Sequence, residues 1–114
     1  MLVKRFADAQ PYAAPNHYDM RSLRLQGFEE GGPAGFWVGL SHFLPGGGAG
    51  PDSSPVEKVY VVLAGRMTVR ADGQDVELGP LDSCTIGADV AREAVNRGNE
   101  VATMLVVLTY PPKG

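Results

Sequence analysis

The chain has 114 residues, enough for one domain, and 44% of them are hydrophobic, enough for a small packed core. Charged residues make up 20%, the formal net charge is -3 and no block of Lys or Arg occurs, so the electrostatic footprint of a nucleic-acid binder is missing. Cys84 is the single cysteine and has no intrachain partner, no apolar run reaches membrane-spanning length, and "MLVKRFADAQPYAAP" lacks a signal-peptide core; a reduced, cytoplasmic setting is expected, with neither membrane nor nucleic acid as partner.

Residues 1–21 read as an irregular N-terminal arm, because Pro11, Pro15 and Asn16 break any period. Short apolar runs then alternate with turn signals. The expected strands are Ser22–Gln26, Ala34–Leu44, Lys58–Leu63, Met67–Ala71, Gln74–Leu78, Ser83–Ile86, Arg92–Val95 and Val101–Tyr110. "PGGGAGPDSSP" reads as a loop. Asp72-Gly73 supplies the positive φ of a tight hairpin, Gly79-Pro80 stops the strand before it, and "NRGN" is another turn. No segment sustains a helical period with caps. So many antiparallel strands must hide their edges by closure or double-sheet packing, and a jelly-roll barrel over 22–114 is the economical all-β solution.

Two segments carry more than fold. In "PGGGAGPDSSPVEKVYVVLAG" and "GPLDSCTIGADVAREAVNRG" the spacing of turns resembles the two motifs of the cupin superfamily, small single-domain RmlC-like jelly rolls, over roughly residues 34 to 110. Gly46 and Gly65 fall on the first motif's glycines. Asp52, Ser54 and Lys58 stand where that motif has His, His and Glu. In the second motif Leu81, Gly87, Asp89 and Arg92 replace Gly, Pro, Gly and His, and Asn96 matches.

The resemblance implies the fold, and the substitutions argue against the family's metal. Ammonium and guanidinium groups repel a cation and offer it no lone pair. No metal and no other cofactor is expected. In the family register Lys58 and Arg92 project into the mouth of the barrel from different strands, with Tyr60 on the face of Lys58 and Glu57 on the other. Two readings follow. The pair receives a small anionic molecule, Arg92 gripping a carboxylate or phosphate bidentately beside Lys58. Alternatively, Lys58 pairs with Asp52, and Arg92 with Glu93 or Asp89, as a structural ion-pair network.

The candidate ligand-binding residues are therefore Lys58, Arg92, Tyr60, Asp52, Ser54 and His42, with Lys58, Tyr60 and His42 the candidates for moving protons or forming bonds. His42 serves only if it faces the cavity. Alternation puts Phe36, Val38, Leu40 and His42 on one face and Trp37, Gly39, Ser41 and Phe43 on the other, without saying which is inside. Cys84 reads as a buried, inert thiol. Three functions stay open: metal-free binding of a small acid; a metal-independent isomerase, lyase or decarboxylase; and a non-catalytic module that forms a homodimer through its arm.

Overall fold

Alternation decides which side of each strand goes inside, and the structure, a computed structural model describing residues 1–111, resolves it strand by strand. After a 3-10 turn at Phe6–Asp8 come β1 (Gln10–Tyr12), β2 (His17–Gln26), β3 (Phe36–Asp52), β4 (Lys58–Ala64), β5 (Met67–Ala71), β6 (Gln74–Leu78), β7 (Ser83–Ile86), β8 (Arg92–Val95) and β9 (Ala102–Thr109). They pair antiparallel in the order β6-β5-β8-β3-β9-β4-β7, and β2 joins β3 and carries β1 on its far side. The chain is an all-β jelly-roll barrel.

Residues opposite one another in an antiparallel ladder share a face. Val62 pairs with Met104, Met104 with Ser41 and Ser41 with Ser22, and all four side chains are buried. One step along, the inward row is Tyr60, Val106, Gly39 and Arg24; a further step gives Lys58, Leu108 and Trp37. The interior of β3 is thus the Trp37, Gly39, Ser41, Phe43 face. Phe43, Val62, Met67 and Ala94 plug the closed end of the barrel, at about 1.5–3 kcal/mol for each large apolar side chain.

The largest departure from expectation is β3. It does not end near Leu44 but continues as strand through the glycines to Asp52, pairing with β8 and with the start of β2. The glycines make this close pairing possible: a side chain at Gly48 would run into the carbonyl of Ala94, and one at Gly47 into that of Asp19. The arm also holds structure, since β1 pairs with the chain's own β2, and β2 already begins at His17. Residues 112–114 of the expected barrel segment lie outside the described residues. No described helix is long and apolar enough to cross a membrane.

The backbone keeps the motif register. Gly46 and Gly65 have φ of 85° and 73°. Leu81 and Asp89, which stand where the second motif has glycine, keep positive φ of 70° and 62°. Asn96 is fully buried: its Nδ2 donates to the carbonyls of Phe43 at 3.0 Å and Glu100 at 2.7 Å, and its Oδ1 accepts from the Gly98 N–H at 2.9 Å. It closes the β8–β9 turn.

Candidate functional site

The open end of the barrel contains a cavity of about 440 Å³, within the usual range of small-molecule sites. β4 contributes Lys58 and Tyr60, β8 contributes Arg92, and the loop after β3 contributes Ser54. These residues meet because each lies on the inward parity of its strand, or in the loop that joins β3 to β4.

Lys58 is 4% exposed, and its Nζ donates to Ser54 Oγ at 2.9 Å. Burial pushes its ammonium below the ordinary lysine range, Arg92 pushes it the same way, and Asp52 opposes both. Arg92 Nε donates to the phenol oxygen of Tyr60 at 2.6 Å. Burial raises the Tyr60 hydroxyl above the usual tyrosine range, against the pull of Arg92, so the phenol keeps its proton near neutrality.

Neither cation has a carboxylate partner among the described residues. The described residues form ion pairs at Lys4–Glu29, Arg66–Glu77 and Arg70–Asp75, none of them in the cavity. Asp52 lines the cavity and sits opposite Arg92 in the β3–β8 ladder, yet its Oδ1 accepts from the Ser53 N–H at 2.8 Å instead. Arg92 Nη1 is buried with no hydrogen-bond partner among the described residues. A buried guanidinium N–H without an acceptor is costly, and a negatively charged ligand would satisfy it.

His42 is corrected. It lies on the outer face of β3, with Nδ1 3.0 Å from Thr103 Oγ1 and its ring edge-on to Phe6 at 6.4 Å between centroids. The sequence could not choose the inner face of β3, and the structure puts Trp37 and Phe43 there instead. His17 is the imidazole that lines the cavity, together with Tyr12 from the arm. Its Nδ1 is 2.7 Å from the carbonyl of Pro15, and burial together with the Arg92 and Lys58 charges lowers its pKa, although the Pro15 carbonyl and Asp52 act the other way. Arg24 of β2 was also missed; it lines the same cavity. Only the folding-back of residues 10–17 places Tyr12 and His17 here, and no local pattern announces that. Cys84 is half-buried, and burial raises its thiol above the ordinary range.

The donor set does not fit the metal that the resemblance implies. Lysine, serine and arginine occupy three of the four ligand positions. His17 and Asp52 leave one imidazole and one carboxylate, and the described residues contain no group of three or more His, Cys, Asp or Glu placed to hold a metal ion.

A nearly closed jelly roll with a cavity at its mouth defines the class. A model of the cupin domain family matches residues 39–108, and the chain belongs to that family. A Mycobacterium tuberculosis protein named "Beta-D-galactosidase Rv1717" is 41% identical over 111 residues, spanning 97% of this chain and 96% of its own. Among solved structures, the polyketide cyclase RemF from Streptomyces resistomycificus superposes with a TM-score of 0.83 at 20% identity, covering 96% of this chain and 79% of that one. A sugar phosphate isomerase of the cupin superfamily from Silicibacter pomeroyi gives 0.77 at 23% identity, covering 95% and 75%. These two likenesses establish the shared fold.

Proposed function

We propose that this protein is a metal-independent cupin whose cavity binds a small, sugar-sized organic acid through Lys58 and Arg92. One observation carries the reading: buried Lys58 and half-buried Arg92 face the same cavity without a carboxylate partner among the described residues, and the buried Arg92 Nη1 has no acceptor among them. A carboxylate or phosphate placed there accepts from Arg92 Nη1 and Lys58 Nζ. The Tyr60 oxygen already accepts from Arg92, which leaves its hydrogen to donate to the same ligand. In an enzyme, the same three groups would stabilise an oxyanion developing on the acid. A thermal-shift screen of small carboxylates and sugar phosphates tests the reading, because a ligand that binds only the native state raises its stability. The wild type should be stabilised by an acid that leaves a Lys58→Ala/Arg92→Ala variant unaffected.

The whole-length likeness to a protein named as a β-D-galactosidase favours a second reading, cleavage of a β-galactoside in the same cavity. Trp37 and Tyr12 offer aromatic faces to a sugar ring. Asp52 is the one carboxylate among the described residues lining the cavity, whereas most glycosidases use two. Tyr60 would then have to act opposite Asp52. Hydrolysis of p-nitrophenyl β-D-galactoside, abolished by both Asp52→Asn and Tyr60→Phe, would support this reading; no hydrolysis would remove it.

A further inference from the structure

The cavity has a second cationic wall. Arg24 on β2 also lines it, three strands along the sheet from Tyr60. The Arg24 guanidinium sits over three rings, 4.4 Å from the centroid of Phe28, 5.0 Å from Tyr12 and 5.4 Å from Trp37. This box is itself anchored: the Tyr110 hydroxyl donates to the carbonyl of Pro33 at 3.0 Å and accepts from the Phe28 N–H at 3.1 Å. Among the described residues Arg24 is therefore held by ring faces and not by an acid. Glu29, the carboxylate whose charge it influences, is occupied by the Gly27 N–H at 3.0 Å and by Lys4 at 3.2 Å. Arg24 Nε is buried with no hydrogen-bond partner, as is Arg92 Nη1, and these are the two such side-chain atoms among the described residues. Both belong to arginines of this one cavity.

The ladder sets their separation. Arg24 pairs with Gly39, Gly39 with Val106 and Val106 with Tyr60, the partner of Arg92. Three strand spacings put Arg24 and Tyr60 about 14 Å apart along the sheet, and curvature of the barrel shortens the direct span. Gly39 makes room for side chains on the floor between them: a Cβ there would stand 2.7 Å from the Tyr12 hydroxyl and 3.2 Å from Trp37 Cζ3. The Tyr12 phenol occupies that space and presents a polar group midway.

Building on the acid-binding reading above, we propose that Arg24 is a second anion-recognising group and that the cavity selects an elongated, hydroxylated ligand with an acid at each end. Lys58 and Arg92 take one acid, Arg24 takes the other, and Tyr12 hydrogen-bonds the middle. A neutral sugar or a monoacid fills only part of this arrangement.

Isothermal titration calorimetry with galactose, galacturonate and galactarate tests the proposal, since the three differ in acid groups on one carbon skeleton. Galactarate should bind about tenfold or more tightly than galacturonate, and galactose weakest. Arg24→Met keeps the aliphatic stem between the rings; it should bring galactarate down to the affinity of galacturonate and leave galacturonate within about twofold. Arg24→Lys should restore part of the preference, which a merely structural loss would not do, and thermal unfolding of each variant confirms that it is folded. Galacturonate binding that depends on Lys58 and Arg92, with galactarate no tighter and Arg24→Met without effect, overturns this proposal and leaves the acid-binding reading standing. Binding by none of the acids overturns both.

Discussion

The Nε of Arg92 and the phenol oxygen of Tyr60 are 2.6 Å apart, and Nη1 of the same guanidinium is buried without an acceptor among the described residues. The Arg92–Tyr60 hydrogen bond joins β8 to β4 across the mouth of the barrel. Tyr60→Phe leaves a second buried guanidinium N–H unpaired. Its expected cost is about 1–3 kcal/mol in urea-induced unfolding. The double variant Tyr60→Phe/Arg92→Met should lose less than the sum of the two single changes, because each removes the same contact.

Lys58 is buried beside a like charge, and its ammonium has only the Ser54 hydroxyl for a described partner. Lys58→Met should stabilise the protein by about 1 kcal/mol in the same measurement while abolishing acid binding. A loss of stability with binding intact would contradict the role given to Lys58.

The pH dependence on the acid side should follow His17. Its folded pKa lies below the ordinary value of 6.5, so the unfolded chain protonates first as pH falls. Stability contributed by the neutral ring is full above 6.5 and is lost as pH falls from there through the lowered folded value. His17→Gln should flatten the stability curve over that window. Acid binding should also be accompanied by proton uptake, because an anion beside Lys58 and His17 raises both pKa values. Calorimetry in buffers of different ionisation enthalpy reads this directly.

Leu81 carries a left-handed backbone at φ 70° with its side chain largely exposed. That conformation costs a non-glycine residue about 1–2 kcal/mol, part of which glycine returns through its freer unfolded chain. Leu81→Gly should therefore gain about 0.5–1 kcal/mol and raise the melting temperature by roughly 3 °C in a calorimetric scan.

The fold was legible because its signals are local. Asp72-Gly73 both take positive φ in the β5–β6 hairpin, and each expected strand from Lys58 onward appears within a residue or so. The motif spacing survived the loss of its letters, since Leu81 and Asp89 keep the backbone that glycine would have had. The long β3 was not legible, because glycines that suit a loop also allow strands to approach closely. Part of the cavity lining was readable: Asp52, Ser54, Lys58, Tyr60 and Arg92 follow from motif register and alternation. Tyr12, His17 and Arg24 were not, because they come from the arm and from a strand far from both motifs, and only tertiary folding brings them to the cavity. His42 failed for a single reason, that alternation divides a strand into two faces without saying which one is buried.

The most direct test is a crystal structure of the protein grown with galacturonate. The carboxylate should lie between Lys58 Nζ and Arg92 Nη1, within about 2.7–3.2 Å of each. A cavity holding water alone, with Lys58 or Arg92 paired to Asp52, would contradict it.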